Sequence, residues 1–263
     1  MALTGPTSRG TLDAATSTLA CTFAAALIAT GLIAAALIAA APIAPAAPDH
    51  LNDTASCPTG EFDTCHRNDQ MRELAETGEQ LVTDYLAQMG IARDSMPRLS
   101  YIPSGGSVKS QCVDSNGRDI QDDRSFNYCG TDNTVYVGRQ TLWDYSQQYG
   151  PWGPISGIAH EYGHFLQAVR HVPGPGNARE TIRNENQADC FSGTFVGFSA
   201  ARGSIDDPGE VDRIVRYLTA TASMEAPGRT HGTAQERSDS FTVGFRDGLA
   251  ACSQYYPETP LTG

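Results

Sequence analysis

Residues 154–170 read PISGIAHEYGHFLQAVR, and within that run His160, Glu161 and His164 form an H-E-x-x-H pentapeptide. The apolar residues Ile155, Ile158, Ala159, Phe165, Leu166 and Val169 recur at three- and four-residue steps, between Gly153-Pro154 on one side and Pro173-Gly174-Pro175-Gly176 on the other. That periodicity predicts a helix of about 17 residues, long enough to be a buried element. On a helix, positions i and i+4 share a face, so two imidazoles can grip one metal ion while Glu161, one step round, reaches a water beside it. The bland alternative is a buried helix that carries two histidines as polar core residues.

A zinc site needs a third protein ligand, and an open position if it is catalytic. The longer spacing H-E-x-x-H-x-x-G-x-x-H would place glycine at 167 and histidine at 170, where this chain has Gln167 and Arg170. His171 therefore reads as an exposed residue near a helix C-terminus, where positive charge is favoured. Beyond the Pro/Gly turn, Asn177 with Glu180 three residues on has the form of a helix start, and Thr181 to Ala201 reads as a second helix. Glu185 and Asp189 are spaced i, i+4 on it. If this helix returns antiparallel to the first, Glu185 can supply the third ligand and Asp189 can accept the second ring N–H of a ligating histidine. Taken alone the two carboxylates read first as a solvated charged face; beside an H-E-x-x-H helix the ligand reading leads.

The runs His160 to Gln167 and Glu185 to Gly193, followed by His231-Gly232-Thr233, resemble the bacterial neutral zinc metallopeptidase family. That family carries an H-E-x-G-H-h-x-Q helix, an E-L-Q-A-D-C-x-A-G helix and a later H-G-[ST] element before an arginine. The likeness extends over about 130 residues, from Tyr128 to near Cys252, in the same order. It implies a gluzincin-type peptidase with His160, His164 and Glu185 on Zn2+ and Glu161 as general base. Departures are Asn186 for the usual leucine, Phe165 where histidine is common, and Gln235-Glu236 before Arg237. None removes a ligand or the base, so they bear on specificity more than on chemistry.

Two neutral imidazoles and one carboxylate leave zinc enough positive charge to lower the pKa of water and to polarise a carbonyl. Glu161 is then expected to take a proton from the attacking water and pass it to the leaving amine. The oxyanion that develops needs a further donor, for which His231 and Tyr162 are the candidates. His231 is preferred because it precedes a helix start at Thr233, where Thr233 and Glu236 have the form of a capping box. A loop histidine that only shapes the turn is the other reading of His231.

The N-terminal part points to export. Phe23 to Ala41 runs nineteen residues of Ala, Leu and Ile, broken only by Thr30 and Gly31, and an Ala/Pro stretch follows to Pro48. A cleaved signal peptide and an uncleaved membrane anchor are both open for residues 1–48. Cys21 precedes the apolar run, which argues against a lipoprotein signal. The cysteines that remain are Cys57, Cys65, Cys112, Cys129, Cys190 and Cys252, an even set suited to three disulfides in an exported domain. Sequence order and the pattern of the resembled family favour Cys57–Cys65, Cys112–Cys129 and Cys190–Cys252.

Formal net charge is −12, and seventeen of the eighteen cations are arginine. Such a surface repels phosphate backbones and anionic lipids, which argues against nucleic acid as a partner and leaves a membrane only to the N-terminal segment. The expected partner is a peptide or protein substrate, and the expected location is outside the cell or on the outer face of the cytoplasmic membrane.

Residues 49–66 read as a linker tied by a small disulfide loop, and 67–263 as one peptidase domain. Asn68 to Met89 is an amphipathic helix with Met71, Leu74, Leu81, Val82, Tyr85, Leu86 and Met89 on its apolar side, ended by Gly90. Leu99 to Ile102 is a short strand, and Ser104 to Asp123 is irregular or a turn-linked hairpin. Thr134 to Val137 is the clearest strand, expected to border the cleft with a free backbone edge for an extended peptide. Further helices are expected over Arg139–Tyr149, from an Asp207 cap to about Met224, and over Thr233–Ala251. The fold class is α+β, mostly α, zincin-like, with a small sheet and a helical metal-binding lobe. Two other functions fit the motif: a catalytically silent zinc-binding scaffold of the cell envelope, and a zinc hydrolase of non-peptide amides. Retention of Glu161 counts against the scaffold, because a structural site needs no base.

Overall fold

The H-E-x-x-H run forms α3 (Trp152–Val169), an 18-residue helix packed against other elements almost all round. The structure, a computed structural model, describes residues 62–113, 117–224 and 228–262, with side chains from 69 onward. Expectations for residues 1–48 and for a Cys57–Cys65 bridge fall outside these residues. Among the described residues no helix is long and apolar enough to cross a membrane.

Preceding α3 are α1 (Phe62–Gln88) and α2 (Arg139–Tyr149). After it come α4 (Ala178–Ala201), α5 (Gly209–Ala220), α6 (Ala234–Asp247) and a 3-10 turn over Leu249–Gln254. The α1 stripe is buried as its spacing requires: Met71, Leu74, Val82, Tyr85 and Leu86 lie in the core, with Leu81 and Met89 packed at its margin. α1 starts at Phe62, inside the stretch read as linker, because apolar periodicity begins only at Met71 and marks no earlier start.

Among the described residues five short strands make two sheets: β1 (Arg98–Ile102), β2 (Ser107–Lys109), β3 (Ile120–Asp122), β4 (Phe126–Cys129) and β5 (Thr134–Gly138). β2 and β3 form the hairpin expected in the Gly/Ser/Asn-rich stretch. In the other sheet the order is β1-β5-β4, with β1 parallel and β4 antiparallel to β5. This corrects the expectation of a free edge on the Thr134–Val137 strand. All five residues of β5 are buried, and its two backbone edges are taken by β1 and β4. The edge strands are β1 and β4, and β4 is the one beside α3; its sequence carries no alternation strong enough to announce it.

Two helix contacts build the platform for the site. α3 and α4 run antiparallel: Ser192 Oγ donates to Ser156 O at 2.7 Å at one end, and Gln167 Nε2 donates to Asn184 O at 2.8 Å at the other. Gly163 permits the approach, since a Cβ there would stand 3.1 Å from Ala188 Cα. α4 and α6 lie side by side in the same direction and closer still. A Cβ on Gly244 would fall 1.8 Å from Cys190 O, inside any contact distance, so only glycine admits this packing.

Three helix ends differ from the sequence reading. Asn177 Oδ1 accepts from Glu180 N as expected, but α4 begins at Ala178 and the Glu180 carboxylate reaches Gly176 N. Asp207 caps α5 by accepting from Gly209 N at 2.8 Å, and α5 stops at Ala220, short of Met224. The Thr233–Glu236 capping box is present, but α6 ends at Asp247. Gly248 (φ 76°) turns the chain there, and the following 3-10 turn carries Cys252 back to Cys190.

Candidate metal centre

α3 and α4 bring His160, His164 and Glu185 together, with one potential ligand atom from each lying within 4.8 Å of the others. His160 Nε2 is 3.2 Å from Glu185 Oε2, and His164 Nε2 is 3.4 Å from Glu185 Oε1. The opposite ring nitrogens are engaged. His160 Nδ1 lies 2.8 Å from Asp189 Oδ1, and His164 Nδ1 lies 2.9 Å from Gln167 Oε1. Both partners are acceptors, so both Nδ1 atoms carry a proton and both Nε2 atoms, the positions a metal would take, face Glu185.

Two imidazole nitrogens and a carboxylate aimed at one point leave a centre that calls for positive charge, from a metal or from protons on the rings. Glu185 Oε2 is buried without a hydrogen-bond partner, an arrangement that costs free energy unless a cation is supplied. Without metal, protons on the imidazoles supply that charge. Burial by itself lowers the pKa of His160, but the carboxylates of Asp189 and Glu185 override it and push the pKa up to about 10. Burial raises Glu185, yet His164 and His160 bring its carboxyl well below the usual range. These donors fit a metal ion: two imidazole nitrogens and a carboxylate, each oriented by a partner behind it.

Behind the centre, Asp189 is fully buried and Arg237 nearly so. Arg237 Nε and Nη2 each approach one Asp189 oxygen at 2.8 Å, a bidentate pair. Its Nη1 donates to Thr221 O and Oγ1, tying the end of α5 to α4 and α6. Burial raises the Asp189 carboxyl, and Arg237 and His160 together bring it below its ordinary value, so it remains a charged acceptor for the imidazole. Sequence reasoning assigned no role to Arg237. In a chain whose cations are nearly all arginine, residue type gave no signal, and only the Thr233 cap placed it at the start of a helix.

Glu161 sits beside the triad, lining a cleft of about 440 Å³ with His160, Tyr217, His231 and Arg237. Its Oε2 accepts from the backbone N–H of Tyr128 on β4 at 2.8 Å. Burial raises its pKa, opposed by His160 and His164, which makes it a better proton acceptor than an exposed glutamate. This tether was out of reach of sequence, since a main-chain donor leaves no mark in residue type.

The two oxyanion candidates part company. His231 Nε2 is 3.4 Å from Glu185 Oε2, and its ring is partly exposed to the cleft. Burial lowers its pKa, favouring the neutral ring. Tyr162 faces the other way: it is fully buried, and its hydroxyl donates to Pro97 O at 3.2 Å. It braces α3 against β1, because one position further round the helix is the face opposite the ligands. His171 is exposed with φ 56°, ending α3 in the left-handed conformation, and takes no part in the site.

The disulfides Cys112–Cys129 and Cys190–Cys252 are both formed. Cys129 follows the Tyr128 that holds Glu161, and Cys190 follows Asp189. Each bridge therefore pins backbone beside a residue of the centre.

Comparison with protein families finds no family that matches, and no solved structure matches. Among curated proteins the chain is similar to Rv2575, an uncharacterized protein of Mycobacterium tuberculosis, at 28% identity over 156 residues, covering 46% of this chain and 51% of the relative. It is also similar to YpfJ, an uncharacterized protein of Escherichia coli K12, at 30% identity over 153 residues, covering 49% of this chain and 53% of the relative. The chain thus spans about half the length of the curated relatives it matches.

Proposed function

We propose that this chain is an exported zincin-type metallopeptidase that hydrolyses peptide bonds. The observation that carries the reading is the pairing of a three-donor centre with a separate carboxylate, Glu161, which is desolvated, raised in pKa and tethered at the lip of a cleft. A scaffold that merely stores a metal has no use for that carboxylate. Two imidazoles and one carboxylate are the donor set that suits catalytic zinc, with His160, His164 and Glu185 as the ligands. When bound, zinc supplies Lewis acidity and lowers the pKa of water.

The protein's own residues supply the rest. Glu161 Oε2 is held by Tyr128 N–H, which leaves Oε1 to accept a proton from the attacking water and to return it to the leaving nitrogen. β4, the edge strand that carries Tyr128, has β5 on one side only, so its other edge offers backbone groups to an extended peptide beside Glu161. Thr230 Oγ1, 3.0 Å from His231 Nδ1, can donate to that nitrogen and leave the ring proton on Nε2, the atom directed at the centre. His231 then donates to the developing oxyanion. Export rests on the N-terminal apolar run and the two disulfides.

The test is a mixture of unstructured peptides incubated with the purified chain and read by mass spectrometry. Internal cleavage that a chelator stops and added zinc restores is expected. Cleavage of cell-wall amides with peptides left intact would move the reading to a non-peptide amide hydrolase. Within this mechanism, His231→Ala is expected to lower kcat about a hundredfold, as for loss of one oxyanion donor, with zinc content and melting temperature near parental. An unchanged kcat would return His231 to a turn-shaping role.

A further inference from the structure

The two histidine ligands are supported differently. Behind His160 stands a charged pair, Asp189 with Arg237. Behind His164 stands a run of neutral amides. Gln167 Oε1 accepts from His164 Nδ1 at 2.9 Å. Gln167 Nε2 donates to Asn184 O at 2.8 Å and to Gln187 Oε1 at 3.1 Å. Gln187 Nε2 in turn donates to Cys252 O at 3.3 Å, and Cys252 is bridged to Cys190. Gln167 is 4% exposed and Gln187 0%, so water does not substitute for these bonds.

Resting on the metal reading above, we infer that Gln167 and Gln187 form a buried amide relay that positions His164 as a ligand, with the Cys190–Cys252 bridge as its fixed end. The relay admits one orientation. Cys252 O and Asn184 O are backbone acceptors and demand N–H groups, which turns Gln187 Oε1 toward Gln167 and Gln167 Oε1 toward the imidazole. Flipping Gln167 would set its amide oxygen against Asn184 O, acceptor facing acceptor, and present N–H to His164 Nδ1. The imidazole would then carry its proton on Nε2, the nitrogen needed for the metal. The glutamines touch neither substrate nor the ligand position, so both are positioning residues. Gln187 acts only through Gln167, and this separates the relay from ordinary core packing: two residues in series do not add.

The experiment is a double-substitution cycle on zinc affinity in the full chain, measured by competition with a chromogenic chelator. Gln167→Met keeps the side-chain volume and removes the acceptor, and is expected to weaken zinc binding about 10- to 100-fold, the range for loss of a ligand's supporting partner. Gln187→Met leaves Gln167 bonded to Asn184 O and is expected to weaken it by a smaller factor, on the order of a few-fold for one lost hydrogen bond. The double variant is expected to bind no more weakly than Gln167→Met alone. Melting temperatures of the metal-free proteins are measured alongside, since simple packing loss would lower them without changing affinity. Affinity in Gln167→Met within twofold of the parent overturns the inference, as does a double variant whose loss is the product of the two single losses. If Gln167→Met does not fold, Gln187→Met decides, because parental affinity there breaks the relay. A parent that binds no zinc overturns the metal reading and the relay together, whereas zinc binding indifferent to both glutamines overturns the relay alone.

Discussion

Glu161→Gln is expected to lower peptide turnover by about 10²–10⁴-fold or more while leaving metal content and fold intact. The tether explains why the variant is clean. A glutamine can still accept from Tyr128 N–H through its amide oxygen, where Glu161 Oε2 now accepts at 2.8 Å, so side chain and β4 keep their places. The atom left facing the cleft is then an N–H₂, which has no lone pair for a proton. Metal is expected to be retained because the three proposed ligands, His160, His164 and Glu185, lie on other residues. Steady-state kinetics and metal analysis of one preparation check both halves. Activity within tenfold of the parent would remove Glu161 from the role of base, and loss of zinc would make it a ligand instead.

Glu185→Ala is expected to have the largest effect on the metal, lowering zinc affinity on the order of a hundredfold or more, about the share of one ligand in the total binding energy of a zinc site. Its two oxygens are 3.2 and 3.4 Å from the Nε2 atoms of His160 and His164, and no other carboxylate among the described residues completes a trio with them. The variant also removes the carboxylate that stabilises the protonated rings in the absence of metal, so its metal-free form is expected to be less stable than the parent's, with His160 still held by Asp189. Undiminished zinc in Glu185→Ala would shift the third ligand elsewhere. His231, with Nε2 3.4 Å from Glu185 Oε2, would be the first residue to substitute next.

Much of the framework was legible from periodicity alone. α1, α2 and α3 follow from apolar residues at helical spacing, because a helix in a domain of this size must bury one stripe whatever its neighbours are. β5 was legible as a strand but not as the middle of a sheet. Its run Thr134-Val135-Tyr136-Val137 is apolar enough for burial on both faces, yet its pairing depends on β1 and β4, whose partners of Thr134, Arg98 and Cys129, lie 36 and 5 positions earlier. Helix ends were legible where a side chain caps them, as at Asn177 and Thr233. They were not where backbone geometry or a disulfide stops the helix, as at Gly248.

For the centre, the sequence by itself determined which atoms can meet: the i, i+4 spacing of His160 with His164, and of Glu185 with Asp189, sets each pair on one face of its own helix. Whether the two faces meet was decided by tertiary structure, through the antiparallel packing of α3 on α4 that Gly163 permits. The Arg237 pair, the Tyr128 tether on Glu161, the inward turn of Tyr162 and the placing of His231 were likewise settled only in three dimensions. The physical reason is common to all four. Helical spacing is a property of the local backbone and repeats every 3.6 residues, whereas a hydrogen bond between residues 33 or 48 positions apart depends on where whole elements pack. No local pattern of residue types encodes that distance.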